Sequence, residues 1–351
     1  MTQDAFSSSA PLAAIETPPS RQRRRLLLGG MAVGAGSLLG AAGLAQAGTG
    51  TQPDLSGVTL RIGTYKGNWR ALLKASGLEK APYRIDWREL NNGVLHIEAI
   101  NADALDLGSG SEIPPVFAAR GGHVNLRLVA RVREDLNNQV TLARKGSGIR
   151  GIADLKGRRV GYVRATTTHY FLSKQLTEAG LSFNDIQAIN LTPADGLTAF
   201  DRGEFDAWAI YGYNGQIART RLGAQVIKTG KGYLSGNFPV YANPRTLDDA
   251  RRRAAVAEFL LRLRKAYAWA NTHYLDYARA QNAETRVPLG DLIELFNNRS
   301  DDYALLPVAP DVLAGHQDVA DTFLTLGVLD GPVDVRSLWD DRFGPDLGAA
   351  A

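Results

Sequence analysis

Two segments, GSGSEIPPVFAAR (108–120) and GRRVGYVRATTTHYFLSKQL (157–176), run from a strand-like stretch through a loop of Gly, Ser or Thr straight into a helix-like stretch. A short handover of this kind leaves the first backbone N–H groups of the helix unpaired. The helix dipole adds a partial positive charge at the same place. Each junction is therefore suited to hold a small anion, and two of them facing each other would form a clamp.

The same strand–helix rhythm fills the chain twice. VTLRIGTYKG (58–67), YRIDWREL (83–90), ALDLGSGS, LRLVARV and QVTLARKG read as strands, interleaved with the helical patterns NWRALLKASGLEKA, GVLHIEAINAD and IPPVFAARGG. A second series begins near Ile149 with RRVGYVRA, DIQAINLTP, FDAWAIYG and AQVIKTG as strands, and SGNFPVYANP (235–244) reads as a strand returning to the first set. Helical patterns from Leu247 to Ala280, GDLIELFNNRS and DVLAGHQDVADTFLTLGVL complete it. This predicts an α/β protein of two lobes, each a mostly parallel sheet covered by helices. The first lobe takes residues 58–143 and 242–345, and the second takes 144–241. Crossings near Ala143 and Tyr241 are the expected hinges, one junction falls in each lobe, and the cleft lies at the carboxyl ends of the strands.

The amino terminus reads as an address. Arg23-Arg24-Arg25 precedes a glycine-rich apolar stretch ending in Ala45-Gln46-Ala47, the small-x-small pattern of a signal-peptidase site. Six glycines between Gly29 and Gly43 weaken the competing reading, a retained membrane helix. The expectation is a signal peptide over 1–47, cleaved after about Ala47, with export to the periplasm. The polar lead-in and the Arg-Arg-Arg-Leu-Leu-Leu run favour the twin-arginine route over the general secretory one.

Cleavage would remove four arginines and two acids and lower the formal charge from +4 to +2. What remains has no basic block that reads as a nucleic-acid footprint; the densest, Arg251-Arg252-Arg253, opens a helix that also carries Glu258. The chain has 0 cysteines, which removes disulfides, thiol nucleophiles and thiolate metal sites, so an ordinary hydrophobic core must hold about 300 residues together. Five scattered histidines and the lack of a Gly-x-Gly-x-x-Gly helix opening give no support to a metal or dinucleotide site. No cofactor is implied.

LRIGTYKGNWRALLKASGLEKA, GSGSEIPPVFAARG, IADLKGRRVGYVRATTTHYFLSKQLTEAGLSFNDIQ and LTPADGLTAFDRGEFDAWAI, in this order, resemble the solute-binding proteins of ABC importers for aliphatic sulfonates and taurine, a branch shared with nitrate-type binders. The resemblance runs from Leu60 to about Pro244 and is weaker beyond. It implies a type II periplasmic binding protein fold with a two-crossing hinge, a small anionic ligand such as a sulfonate, a membrane permease as partner, a monomer and no catalysis.

It also implies site residues. The family's Gly-Thr-Gly-Asp-Thr-Pro-Pro loop stands here as Gly108-Ser109-Gly110-Ser111-Glu112-Ile113-Pro114-Pro115, so Ser109, Gly110 and Ser111 are candidate donors, a helix cap being the competing role for Ser111. Glu112 is out of place beside an anion and suits a loop N–H or a donor on the cargo. The family's Lys-Gly-Ser-x-x-His-Tyr is here Arg164-Ala165-Thr166-Thr167-Thr168-His169-Tyr170. Thr166, Thr167 and Thr168 would offer free hydroxyls, Arg164 a permanent charge or a surface ion pair, and His169 a packing or cargo contact. Lys66 and Asn68 sit in a Lys-Gly-Asn loop that should line the cleft, and Asn237 opens the return strand. Trp208, in Asp-Ala-Trp, is either a pocket wall or a core residue. Where the family has an aromatic followed by Asp-Pro, this chain has Tyr211-Gly212-Tyr213-Asn214, so the usual partner for taurine's ammonium is missing unless Glu112 replaces it. The aromatic count (Trp69, Trp208, Tyr211, Tyr213, Phe238) points instead to a larger or aromatic sulfonate. Two alternatives remain: a binder of nitrate or another small metabolite, and a desulfinase-like enzyme, whose cysteine nucleophile this chain lacks.

Overall fold

The computed structural model describes residues 53–348 apart from His123; the proposed signal segment lies outside them. β1 (Thr59–Thr64) leads into α1 (Trp69–Ala75), β2 (Arg84–Glu89) into α2 (Gly93–Asn101) and β3 (Leu107–Ser109) into α3 (Ile113–Arg120), followed by β4 (Arg127–Arg133). The second series is β5 (Gln139–Ala143), β6 (Arg159–Tyr162), α4 (Thr167–Glu178), β7 (Gln187–Asn190), α5 (Pro193–Asp201), β8 (Ala207–Tyr211), α6 (Gly212–Leu222) and β9 (Gln225–Thr229). β10 (Asn237–Ala242) then leads to α7 (Pro244–Asp248), α8 (Ala250–Thr272), α9 (Tyr274–Thr285), α10 (Leu289–Asn297), β11 (Ala304–Leu306) and α11 (Pro310–Thr325).

The strands form two sheets, ordered β11-β4-β10-β3-β1-β2 and β7-β6-β8-β5-β9. The sheets are mixed rather than mostly parallel. β1 pairs in parallel with β2 and β3, as β6 does with β7 and β8, but β10 lies antiparallel to β3 and β4, and β5 antiparallel to β8 and β9. Two of the three strands that run against the βα direction, β5 and β10, are the ones reached by crossing between lobes; the third, β11, is an edge strand antiparallel to β4. β5 belongs wholly to the second sheet and β10 wholly to the first. The chain therefore crosses at 134–138 and at 230–236, and Ala143 and Tyr241, the expected crossing points, lie inside strands.

Each sheet is clamped in the same way. In the first, Arg61 of β1 donates its backbone N–H and its guanidinium to Asp106, just ahead of β3, at 2.7 and 2.9–3.1 Å. In the second, Arg159 of β6 does the same to Asp206, just ahead of β8, at 3.2 and 3.0–3.3 Å. Asp106 is fully buried and also binds Thr246 and Arg252. Burial would raise its carboxyl, but these partners outweigh it and hold the group below the usual carboxylate range. One ion pair thus fixes the register of the two strands whose carboxyl ends carry the junction loops.

Apolar clusters fill both faces of each sheet. Leu60, Ile62, Val129 and Val132 pack against α1 and α8 on one side of the first sheet, and Leu126, Leu128 and Tyr241 pack with α3 and α11 on the other. In the second sheet, Val160, Ala207 and Ala209 meet α4, while Leu142, Trp208 and Ile210 meet α5 and α6. Strands buried on both faces read as apolar runs rather than alternations, as AWAI does.

Candidate functional site

The carboxyl ends of β1, β3 and β6 carry the loops 65–68, 110–112 and 163–166, and β8 passes directly into α6 at Tyr211 and Gly212. The first-lobe junction is tightly built. Ser109 N–H donates to His96 Nδ1 at 3.0 Å, the Ser109 carbonyl accepts from Tyr65 Oη at 3.0 Å, and Tyr241 Oη donates to the Ser111 carbonyl. Gly110 is required by close approach: a Cβ there would stand 2.5 Å from Tyr241 Oη and 3.0 Å from the Gly93 Cα. The residue in the cap position of α3 is Glu112, not Ser111, and its side chain makes no capping hydrogen bond.

Glu112 is the most unusual group in the cleft region. It is 3% exposed; Oε1 accepts from Ser235 Oγ at 2.5 Å, and Oε2 is buried with no partner. Burial lifts its carboxyl to about 7, against the lowering effect of the Ser235 bond and the Arg131 charge. Arg131 in turn donates Nη1 to Asn237 Oδ1 at 2.7 Å, so the Asn237 oxygen orients a cation. Glu134, at the start of the first crossing, is likewise lifted to about 7 by burial, with Asp135 beside it. Sequence reasoning did not single out Glu134 or Arg131: Arg131 lies within a stretch read only as a strand, and Glu134 stands just beyond it.

The second-lobe junction is organised by its own threonines. Thr166 and Thr168 Oγ1 both donate to the Val163 carbonyl, at 2.8 and 3.0 Å, and Thr167 Oγ1 donates to Gln139 Oε1 at 2.7 Å. The hydroxyls expected to be free are therefore spent on the turn and on β5. Backbone amides remain: the first helical N–H groups to reach back are those of His169 and Tyr170, to the Thr166 carbonyl at 3.1 and 3.3 Å. Those ahead of them, at the head of α4, have no intrahelical acceptor. Ala165 holds φ 57°, a left-handed conformation costly for a residue with a Cβ, which aims this turn. Arg164 is exposed.

His169 is buried among Phe117, Tyr162, Phe183 and Phe323, with ring centroids 5.1–6.4 Å away. Burial, with the Arg164 charge nearby, lowers it to about 4, so it is neutral and serves packing between the lobes. Trp208 is fully buried against Phe200 and Phe205 and is a core residue, not a pocket wall. Trp69 is 1% exposed in the first-lobe core, and Phe238 packs against that core. Of the aromatic side chains expected to favour a bulky cargo, Tyr211 and Tyr213 are left. Tyr211 is half-buried and within electrostatic reach of Tyr65; Tyr213 is 39% exposed. Lys66 points to solvent and Asn68 is half-buried ahead of α1. A separate recess beside the first crossing, between α6 and α10, is lined by Asn138, Gly212, Gln216 and Arg219 and does not include the two junctions.

Two α/β lobes, two crossings and helix-start junctions between them define the type II periplasmic binding protein fold. The chain belongs to the family described as NMT1/THI5 like, whose model matches residues 83–273. It is 32% identical over 286 residues, 80% of this chain and 88% of the relative, to an Escherichia coli (strain K12) protein provisionally named as aliphatic sulfonates-binding. Its fold matches the alkanesulfonate-binding protein of Xanthomonas axonopodis pv. citri solved with MOPS, at TM-score 0.74 and 26% identity over 82% of this chain and 99% of that one. It also matches the periplasmic aliphatic sulphonate binding protein of Escherichia coli, at TM-score 0.72 and 29% identity over 82% and 98%.

Proposed function

We propose that the mature chain works outside the cytoplasmic membrane as a monomeric binding protein. It captures a small organic sulfonate between its lobes and delivers it to the permease of an ABC importer. The observation that carries this reading is the head of α4, where unpaired amides and the helix dipole meet in a rigid, threonine-locked turn with Arg164 beside it. That is the arrangement a tetrahedral oxyanion group needs. Sulfonate-binding relatives at this level of identity support the choice of anion. The reading includes no chemistry, since a chain without cysteine has no thiol to attack a sulfur centre.

A thermal-shift screen of the mature protein against alkane- and aminosulfonates, sulfate, nitrate and amino acids tests it. A ligand that binds only the folded state at 100 times its Kd adds about 2.7 kcal/mol of stability. Sulfonates are expected to raise Tm; nitrate raising it while every sulfonate leaves it unmoved would replace sulfonate with nitrate as the cargo.

A further inference from the structure

We propose that the recess beside the first crossing binds one ordered water molecule, which ties Asn138 to Gln216 of α6 and turns the crossing into a defined pivot. The recess stands apart from both junctions, so the inference does not depend on what the cargo is. Asn138 Oδ1 and Gln216 Nε2 both belong to residues that line it, and both atoms are buried with no partner among the described residues. Gln216 is 2% exposed. A buried donor and a buried acceptor have each given up water on folding, and native proteins leave few such atoms unpaired.

The chain changes lobes within one residue at this place. Asp135 Oδ1 accepts from the N–H groups of Asn137 and Ser300, both at 2.8 Å, and Asn137 Nδ2 donates to the Asn298 carbonyl at 2.8 Å. The crossing up to Asn137 is thereby fastened to the turn after α10, in the first lobe. Gln139 already opens β5 of the second sheet, and the Asn138 carbonyl accepts from Gly212 N–H, at the start of α6, at 3.0 Å. Asn138 is therefore the residue about which the lobes turn, and its side-chain oxygen shares a recess with α6 and with Leu295 of α10.

The polarity of the recess selects its occupant. Gln216 Oε1 accepts from Arg219 Nη1 at 2.9 Å, which fixes the amide and leaves Nε2 as the donor. The occupant must accept from Gln216 and donate to Asn138. A metal cation or ammonium brings no acceptor and meets Arg219; a halide brings no donor and meets the Asn138 oxygen and the Asp135 carboxyl. The volume, about 20 Å³, suits one water, which needs roughly 10 to 15 Å³, and is too small for an organic molecule. Water satisfies both atoms at once, and through them it joins the pivot residue to the second lobe.

A high-resolution crystal structure of the mature protein tests the site. One water oxygen is expected at roughly 2.7 to 3.2 Å from both Asn138 Oδ1 and Gln216 Nε2. A direct bond between the two side chains, an ion or larger molecule in that place, or no density between them overturns the assignment. Amide hydrogen exchange without cargo tests the pivot, on the unmodified protein, Asn138→Ala, Gln216→Met and the double variant. Each single substitution removes one end of the bridge and should speed exchange at Gly212 about tenfold, while β1 and β3, held by the Arg61–Asp106 clamp, keep their protection. The double variant should exchange no faster than the faster single one, because both substitutions break the same bridge. Effects that multiply, or protection at Gly212 that survives both substitutions, would show that no shared water holds the pivot.

Discussion

A carboxylate kept out of water weakens the fold, and the effect has a pH signature. The folded Glu112 carboxyl is raised from 4.5 to about 7, so the unfolded chain holds fewer protons than the folded one between those values, and stability from this group is lost as pH rises through 7. Glu134 acts in the same direction. Three buried histidines, His96, His169 and His316, are lowered by burial from 6.5 to about 4 and act the opposite way, costing stability as pH falls below 6.5. The two sets largely cancel between pH 4.5 and 6.5, so the clean window is above 7. Glu112→Gln keeps an acceptor for Ser235 and removes the forced ionisation; at pH 8 without ligand it should stabilise the fold by about 1 to 3 kcal/mol. Thermal melting of the two proteins at pH 6 and pH 8 checks this, and a variant less stable at pH 8 would mean that the carboxylate contributes to the resting fold. Glu112 stood out in the sequence because a carboxylate contradicts an anion loop. Its orphaned oxygen did not, because that depends on Ser235, 123 positions away.

The strand–loop–helix units were the most legible elements, since period and glycine placement are local properties; every expected strand forms, and only QVTLARKG, read with the first series, joins the other sheet as β5. β11 was not read: Ala304–Leu306 is three apolar residues with no alternation to mark it. Nor was the role of Trp208, since a strand apolar on both faces gives no sign of which face holds a cleft. The reading of free threonine hydroxyls failed for a related reason, because Gln139, which takes one of them, comes from a strand 28 positions earlier. Gly110 is where loop and strand must fit closest. Gly110→Ala sets a methyl group against the fully buried Tyr241 and the backbone of Gly93, neither of which can retreat. It should cost about 1 to 3 kcal/mol and displace the Tyr241–Ser111 bond. Urea unfolding measures the loss; a variant as stable as the parent would show slack that the packing denies.

At the scale of the molecule, the lobes touch on two flanks while being joined by two crossings. On one flank Tyr170 Oη donates to Asp318 at 3.0 Å, and the His169 ring packs against Phe117 and Phe323; on the other Arg219 pairs with Glu294 at 3.2 Å. The duplicated Arg–Asp clamps make each sheet a rigid body, so motion is left to 134–138 and 230–236. The clamps were illegible in sequence because their partners stand 45 and 47 positions apart; the two crossings were expected but placed late, near Ala143 and Tyr241, because each abuts a strand that reads simply as the next in a series. Hinge closure on cargo follows from this layout. Small-angle scattering of the mature protein should give a radius of gyration that matches this structure at saturating sulfonate and is larger without it. Tyr170→Phe with Arg219→Ala removes two closing contacts without altering either junction. At about 0.5 to 1 kcal/mol each, their loss should weaken binding roughly five- to thirtyfold, carried by faster dissociation because the contacts form only after the ligand has landed. A radius unchanged by ligand, with affinity insensitive to both substitutions, would show that the cleft is fixed and that the flank contacts belong to the resting architecture.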